Sequence, residues 1–234
     1  MITRFFWAGV AVTAAVGALW GAEADAAGKS ASRVLFDGKS TDAWRGFKRD
    51  AFPAKGWVVE NGTLKTVVGG DKVDIITRDT YKDFELDLEW RVSPGGNSGV
   101  FYDVAETQVE GWHTGPEMQV LDDARHKDGQ NGKTSAGALY ALIAPSAKVV
   151  KPAGEWNKAR LVKKGAHVEH WLNGTRIVEY ELGSPALLAL IADSKFKDLP
   201  RFAKEGQGHI ALQHHGEEAW FRNVRIKGAP VQVR

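Results

Sequence analysis

The chain has 234 residues, a net charge of +2 with both signs interspersed, and no cysteine. The lack of cysteine excludes a small domain stapled by disulfides, and the balanced charge without a basic run excludes a nucleic-acid-binding surface. The length allows one large hydrophobic core, for which nine Trp, ten Phe and four Tyr supply ample aromatic area.

The first residues have the features of a secretion signal. Arg4 is followed by an apolar run over 5–19, and Ala24–Ala26 offers small residues where a signal peptidase reads them. The run is about 15 residues, shorter than the ~20 that a membrane-spanning helix requires. We therefore expect a signal peptide over 1–26, a single domain over 27–234, export to the periplasm or outside the cell, and no membrane association after cleavage.

Period-two alternation dominates the rest of the chain. In Phe84–Arg91, apolar residues alternate with charged ones, which predicts a strand with one buried and one solvated face. Trp57–Leu64 and Val168–Tyr180 each contain an Asn-Gly pair, which is typical of a two-residue hairpin turn. Further short strands are predicted at Gly99–Asp103, Met118–Leu121, Arg160–Lys164, Ile210–Gln213 and Trp220–Ile226.

Helical periodicity is nearly absent. Only Pro185–Asp193 predicts a short helix, inside Ser184–Gly208, the longest irregular segment, which we expect at the rim of the fold. Many short strands joined by Gly-rich turns predict an all-β sandwich. No G-x-G-x-x-G follows a predicted strand, so we expect no nucleotide cofactor.

Polar residues that can grip hydroxyl groups are concentrated between Trp90 and Asp122. A buried polar group without a hydrogen-bond partner costs about 1–3 kcal/mol, so the fold itself has no need of such residues on strand faces. A sugar-binding site does need them, because the donors and acceptors of a sugar must each be matched. Glu117 and Gln119 share one face of their strand, opposite Met118 and Val120. This face is either the floor of a binding groove or an ordinary solvated surface.

The histidines fall into two strand patterns. His170 alternates with Glu169 and lies on the same side as apolar neighbours, which is also the usual place of a core histidine. His215 and Gln213 lie opposite the apolar residues of Ile210–His215. No H-x-x-x-H or H-E-x-x-H spacing encodes a metal site, although a site assembled across strands would leave no linear signature.

Four segments in order resemble the 3-keto-disaccharide hydrolase domain family, formerly a domain of unknown function, of the concanavalin-A-like lectin/glucanase superfamily. They are Trp90–Asp122, Ala136–Tyr140 (A-G-A-L-Y), Gly154–Gly174 and Gly208–Lys227. The resemblance implies a concanavalin-A-like jelly roll of two curved antiparallel sheets and a divalent cation. Members of the family usually have the sequence L-Q-D-H-G where this chain has L-Q-H-H-G. His214 therefore replaces the family's Asp, and whatever role that Asp has is in doubt in this chain.

The resemblance implies cleavage of glycosides already oxidised at C3 by a separate sugar dehydrogenase. A base takes the C2 proton, the aglycone leaves C1, and water can then add. The candidate bases, which are also the candidate metal ligands, are Glu117, His170 and His215. The candidate substrate contacts are Arg91, Asn97, Ser98, Tyr102, Gln119, Asp122, Tyr140, Glu169 and Gln213, with Trp156 and Trp112 as stacking surfaces.

Two other functions remain open from the sequence. A non-catalytic carbohydrate-binding module or lectin would use the same fold and polar groove, but it needs no poised base. Glu85, Asp87 and Glu89 resemble the E-x-D-x-E trio of laminarinase-type retaining glucanases. Such enzymes need carboxyl groups about 5–5.5 Å apart, whereas a flat strand separates residues i and i+2 by ~6.6 Å. A charged outer strand face explains the same pattern.

Overall fold

The computed structural model describes residues 1–2 and 32–231, so nearly all of the predicted signal segment lies outside the described residues. The described part contains thirteen strands, one α-helix and short 3-10 turns. The strands are β1 (Arg33–Phe36), β2 (Trp44–Gly46), β3 (Trp57–Glu60), β4 (Thr63–Thr66), β5 (Ile75–Thr77), β6 (Phe84–Val92), β7 (Asn97–Val104), β8 (Glu117–Leu121), β9 (Asn157–Lys164), β10 (His167–Leu172), β11 (Thr175–Glu181), β12 (His209–Leu212) and β13 (Ala219–Lys227).

The strands form two antiparallel sheets. The larger sheet has eight strands in the order β11-β10-β9-β6-β13-β4-β3, with β1 also paired to β13. The smaller sheet has five, in the order β2-β5-β12-β7-β8. Strands adjacent in space are often distant in sequence, as β6 is from β13. This topology confirms the predicted all-β jelly-roll sandwich.

The core lies between the sheets and follows the predicted alternation. Along β6, Phe84, Leu86, Leu88 and Trp90 are buried while the residues between them are partly exposed. They meet apolar residues of the smaller sheet such as Met118. Fully burying each large side chain is worth about 1.5–3 kcal/mol, so the two facing rows hold the sheets together.

Both Asn-Gly pairs form the predicted tight turns. Asn61 and Gly62 have φ of 50° and 74°, and Asn173 and Gly174 have φ of 51° and 86°. Positive φ at both central residues is the type I′ geometry, which matches the twist of the flanking strands. The pairing of Leu172 with Thr175 across the second turn fixes the register of β10 and β11.

The segment from Ser184 to Gly208 packs against the smaller sheet. It begins with α1 (Pro185–Ala192), where the Ser184 hydroxyl caps the Leu187 N–H at 3.2 Å. Farther on, the Phe196 and Phe202 rings stack with centroids 3.9 Å apart. This predicted rim segment therefore has an apolar anchor of its own.

A buried ion pair fixes the end of this segment. The Lys163 ammonium on β9 lies 3.1 Å from the Asp103 carboxylate on β7 and donates to the Gly206 carbonyl at 2.7 Å. Burial raises the pKa of Asp103 to about 6, against the attraction of Lys163. One lysine thus connects the larger sheet, the smaller sheet and the rim segment. Among the described residues, no helix is long and apolar enough to cross a membrane.

Candidate active site

A cleft of about 270 Å³ lies on the outer face of the smaller sheet, the face turned away from the core. Strands β7, β8 and β12 form its floor. The 3-10 turn at Gly111–His113, Tyr140 and the rim segment form its walls. Its lining residues are Asn97, Phe101, Trp112, Gly115, Glu117, Gln119, Tyr140, Lys195, Phe196, Phe202, Gln213 and His215.

Glu117 lies at the centre of the floor. It starts β8 on the face opposite Met118, as its strand parity predicts, and is only 9% exposed. Its side chain lies over Gly99 of the neighbouring strand β7. A Cβ added at Gly99 would lie 2.8 Å from the Glu117 Cδ and still closer to a carboxylate oxygen. The glycine is therefore what allows the glutamate to lie flat on the sheet.

The environment of Glu117 favours the protonated carboxyl. Burial raises its pKa to about 8, Asp74 and Asp128 add like charge, and only Lys195 opposes the shift. Among residues 32–231, no donor hydrogen-bonds the carboxylate and no Lys, Arg or His nitrogen lies within 4.0 Å of it. Glu117 is thus a carboxyl whose basicity is high for its type and whose oxygens are free to meet a ligand.

Asp74 is a neighbour that the sequence did not reveal. It precedes β5 in an irregular stretch, where no periodic pattern singles it out. Burial raises its pKa to about 6, and it accepts the His214 N–H at 2.9 Å. That bond fixes the backbone immediately before His215.

Lys195 is a second residue near Glu117 that the sequence did not reveal. It lies in the rim segment, where the prediction named no residue. Its ammonium lies 4.3 Å from the Tyr140 ring centroid and 5.1 Å from those of Trp112 and Phe196. Lys195 is exposed as a whole residue, but its ammonium is partly desolvated among these rings, which lowers the pKa of Lys195 against the attraction of Glu117 and Asp128. An aromatic cage thus holds the cation at the cleft.

Tyr140 joins the cage to a further acid. Its hydroxyl donates to the Asp128 carboxylate at 3.2 Å, and burial raises its pKa above the ordinary value. Tyr140 was predicted as a substrate contact from the A-G-A-L-Y motif, and it lines the cleft. The Tyr140 ring therefore contacts Lys195, while its hydroxyl contacts Asp128.

The two adjacent histidines point in opposite directions. His215 lies at the cleft mouth, and its Nδ1 is 2.8 Å from the Glu217 carboxylate. The His214 ring is buried, meets Trp57 edge-on and has its Nε2 3.1 Å from the Val67 carbonyl. Since its side chain leaves the cleft, His214 contributes only its backbone N–H near the site.

Several other predicted site residues line the same cleft. Asn97 and Gln119 are buried on its floor, while Gln213 and Trp112 are half-buried. Among the described residues, the buried Asn97 Oδ1 has no hydrogen-bond partner. These amide and aromatic groups offer a sugar ring both hydrogen bonds and an apolar surface.

Two predicted site residues lie in the core instead. His170 is 0% exposed, its Nδ1 lies 3.1 Å from the Gly137 carbonyl, and burial lowers its pKa to about 4. The Tyr102 ring meets it edge-on at 6.2 Å. Both side chains point between the sheets because they share strand parity with apolar neighbours. The structure therefore separates His170 from Glu117 and His215.

Ser98 and Asp122 brace the backbone beside the cleft without lining it. The Ser98 hydroxyl donates to the Gln213 carbonyl at 2.7 Å. The Asp122 carboxylate accepts the Gly95 N–H at 2.7 Å and the Ala124 N–H at 3.1 Å. Their polar groups are satisfied within the fold.

The remaining predicted contacts lie on the outer face of the larger sheet. Arg91 is stacked between Trp156 and Trp220, at 4.9 and 4.7 Å. Glu169 accepts hydrogen bonds from Trp171 and Arg176. Strand parity had placed these side chains on a solvated face, but that face belongs to the other sheet.

A group of side chains on that face could hold a metal ion. Ligand atoms of His167, Glu169 and Glu179 lie within 4.8 Å of one another, the single such group of three in the described part of the chain. Arg176 bridges both carboxylates, at 3.1 and 3.0 Å. The candidate ligands Glu117, His170 and His215 do not converge in this way.

A β-sandwich with a buried acid, a caged cation, amide side chains and an aromatic wall in one cleft has the architecture of a carbohydrate-processing protein. A family model described as a 3-keto-alpha-glucoside-1,2-lyase-like domain matches residues 31–227. A relative from Bacteroides thetaiotaomicron named 3-keto-disaccharide hydrolase is 36% identical over 224 residues, covering 83% of this chain and 77% of the relative. The chain belongs to this family and is a glycosidase-like enzyme, which confirms the resemblance seen in the sequence.

Solved structures agree with this assignment. A candidate glycosyl hydrolase from Parabacteroides distasonis is 32% identical, with a TM-score of 0.79 over 85% of this chain and 94% of its own. A Bacillus subtilis protein with a galectin-like fold shares 14% identity at a TM-score of 0.50, over 84% of this chain and 94% of its own. The second likeness concerns the fold alone.

Proposed function

We propose that the cleft cleaves glycosides oxidised at C3, with Glu117 as the base that removes the C2 proton. One observation carries the proposal: a buried carboxyl with a pKa of about 8, on the floor of a cleft lined with amides and aromatic rings. The description of the family and the name of the Bacteroides relative, a 3-keto-disaccharide hydrolase, support the substrate class. A glycoside without the keto group has no acidic C2 proton for such a base.

The reaction proceeds by elimination. The carbonyl at C3 acidifies the C2–H bond; Glu117 takes that proton, and the electron pair moves into a C2=C3 double bond with an enolate oxygen on C3. When the C3 carbonyl re-forms, the pair moves to C1=C2 and the C1–O bond breaks. The aglycone oxygen leaves with a proton, and addition of water to the enone completes hydrolysis. A carboxylate whose pKa is raised by burial is a stronger base than an ordinary one, which suits the first step.

Recognition of the sugar is assigned to the polar floor and the aromatic wall. Asn97 and Gln213 present amides, and the Asn97 Oδ1, which has no partner among the described residues, is suited to accept a hydrogen bond from a sugar hydroxyl. Gln119 lines the floor, but its amide donates to the Thr134 carbonyl at 3.3 Å and accepts the Val120 N–H at 3.1 Å. Trp112 and the stacked phenylalanine pair offer an apolar surface to a sugar ring. Arg91, Trp156 and Glu169 are left out of this assignment because they lie on the other sheet.

His215 is the second candidate for proton transfer. It lines the mouth of the same cleft, and Glu217 orients its ring through Nδ1. This arrangement leaves Nε2 free to exchange a proton with water or with the departing aglycone. We assign His215 to proton exchange at the mouth and Glu117 to the C2 proton, since Glu117 lies on the floor.

The cleft residues do not fit the divalent cation that the family resemblance implies. Its lining residues include one carboxylate, Glu117, and one imidazole, His215, which make two such ligands, and His170 lies in the core. Among the described residues, the three-ligand group His167, Glu169 and Glu179 belongs to the other sheet. We therefore assign no step of the reaction to a bound metal.

The wider context follows from the chemistry. A 3-keto glycoside must be supplied by a sugar 3-dehydrogenase, because no G-x-G-x-x-G follows a strand here and elimination itself oxidises nothing. Export remains our proposal, with a signal peptide over 1–26 and a single mature domain over 27–234 acting in the periplasm or outside the cell.

Glu117→Gln tests the proposed function. A 3-keto glucoside with a 4-nitrophenyl leaving group should be turned over at least a hundredfold more slowly by the variant, since loss of a general base typically costs about 10²–10⁴ in rate. At pH 8 the variant should melt no lower than the wild type, because it removes a buried ionisable group. Unchanged turnover by a folded variant would leave His215 as the base.

A binding-only role gives a different result. A lectin would bind the keto sugar in calorimetry without releasing nitrophenol, and Glu117→Gln would then alter affinity alone. Wild-type protein that releases no nitrophenol from any 3-keto glucoside tested, of either anomer, would overturn the proposed function.

A further inference from the structure

We propose that Lys195 is the electrophile of this active site, the cation that pairs with the developing enolate oxygen on C3 while Glu117 takes the C2 proton. The inference rests on the proposed function and assigns a second catalytic residue to the same cleft. The positive charge that stabilises the enolate oxygen then comes from a side chain of the rim segment.

The cage directs the cation to the cleft rather than to an acid. Among residues 32–231, no hydrogen-bond acceptor and no carboxylate oxygen within 4.0 Å pairs with the Lys195 ammonium. Three aromatic rings surround it instead, at 4.3 to 5.1 Å. Ring faces attract a cation but leave its hydrogen-bond donors unused. All three donors of Lys195 therefore remain available to a ligand oxygen.

The position of Lys195 is built into the fold. Its neighbour Phe196 is buried and stacks on Phe202, and the Ala203 N–H donates to the Thr114 carbonyl at 2.9 Å. These contacts fix the part of the rim segment that follows Lys195. Lys195 and Glu117 line the same cleft, and each shifts the pKa of the other, so the two charges interact electrostatically.

The chemistry explains why this pair is useful. C2 and C3 are adjacent, so a base at the C2 proton and a cation at the C3 oxygen must approach one edge of the sugar together. As the C2–H pair moves toward the carbonyl, negative charge accumulates on the C3 oxygen. An ammonium preorganised there stabilises the charge without prior reorganisation, and loss of one such donor costs about 10²–10³ in kcat.

The test compares Lys195→Met with Lys195→Arg and with Lys197→Met, a matched control at an exposed lysine of the same segment that does not line the cleft. Each variant is assayed on two 3-keto glucosides, one with a 4-nitrophenyl and one with a methyl aglycone. Exchange of the C2 proton in D₂O is followed by NMR. Lys195→Met should lose at least a hundredfold in kcat on both substrates and an equal factor in C2 exchange. Lys195→Arg should recover part of each, and Lys197→Met should stay within threefold of wild type.

The pH profile supplies an independent readout. Lys195 lowers the pKa of Glu117, so Lys195→Met should shift the acidic limb of kcat to higher pH. Lys195→Met within threefold of an active wild type would overturn the assignment. So would a loss confined to the methyl glucoside with C2 exchange intact, because Lys195 would then serve the leaving group. Failure of the wild type on both glucosides would instead overturn the proposed function itself.

Discussion

The two outer faces of the sandwich carry the same residue type in opposite electrostatic states. On the larger sheet, Glu85, Asp87 and Glu89 each lie beside a cation of a neighbouring strand: Lys164 at 3.3 Å, Arg160 at 2.7 Å and Arg222 at 2.7 Å. On the smaller sheet, Glu117 has no such partner among residues 32–231. All four acids alternate with core residues along their strands, so the neighbours and not the strand create the difference.

The pKa values follow the same division. Burial alone would raise the pKa of Glu89, but hydrogen bonds from Arg222 and Asn223 outweigh it and hold the value below the usual one. Burial raises the pKa of Glu117 to about 8. The rim segment covers Glu117, while cross-strand cations neutralise Glu89. The carboxyl of Glu117 has a raised pKa because the tertiary structure removes water from it without placing a cation within 4.0 Å of it among residues 32–231.

The laminarinase-like trio of Glu85, Asp87 and Glu89 lies on the ion-paired face. Its carboxylates lie on the larger sheet, outside the cleft, and each is engaged by Lys or Arg. A retaining glycosidase needs a free nucleophile and a protonated acid facing one bond. The ion pairs favour the structural interpretation of this face.

The largest effect is expected from a change that moves Glu117 without removing it. Gly99→Ala places a methyl group against the Glu117 carboxyl, whose Cδ would lie 2.8 Å away. A displacement of about 1 Å at a catalytic group can cost ~100-fold, and we expect a loss of that order in kcat. The control is Gly132→Ala, whose new methyl group would meet the Ala144 Cβ at 3.2 Å. Turnover by Gly99→Ala equal to that of the control would mean that the position of Glu117 is unimportant.

The pH dependence of kcat tests the raised pKa of Glu117. Glu117 acts as a base only when deprotonated, and its pKa is about 8. The rate should therefore fall by roughly tenfold per pH unit below that value and level off above it. Stopped assays between pH 5.5 and 9.5 check this, with a stability control at each pH. A profile already flat from pH 5.5 to 8 would contradict a base with a raised pKa.

The smallest effect is expected on the other face. Glu89→Gln removes one partner of the Arg222 ion pair, but surface ion pairs contribute about 0–1 kcal/mol. Turnover should stay within threefold of wild type, and the melting temperature should change by only a few degrees. A thousandfold loss of activity in folded Glu89→Gln protein would restore the glucanase hypothesis.

Local pattern was sufficient for much of the fold. The alternation of β6, the two Asn-Gly hairpins and the short helix after Ser184 all follow from neighbouring residues along the chain. The parity of Glu117 and Gln119 was equally local, because successive side chains of any strand point to opposite faces. The order of the four family-like segments along the chain then indicated the jelly-roll fold and the family.

Strand parity does not reveal which sheet a residue belongs to, or whether its side chain points to the core or to the cleft. His170 was correctly grouped with apolar neighbours, yet its side chain lies in the core and not in the cleft. Arg91 and Glu169 were on solvated faces, but of the other sheet, and Trp156 lies against Arg91 there. Each of these outcomes depends on strand order, which joins segments far apart in sequence.

Alternation along the chain thus predicted most of the strands with their buried and solvated sides, though not β1, β2 or β5, and it named Glu117 as one of three candidate bases. Lys195 and Asp74 act on the Glu117 carboxyl through contacts that long-range folding creates. Both come from irregular segments, whose positions follow no period and are set by contacts between residues far apart in sequence, such as the hydrogen bonds from the Ala203 N–H to the Thr114 carbonyl and from the His214 N–H to Asp74. The raised pKa of Glu117 arises in the same way, because desolvation is a property of everything that surrounds a group.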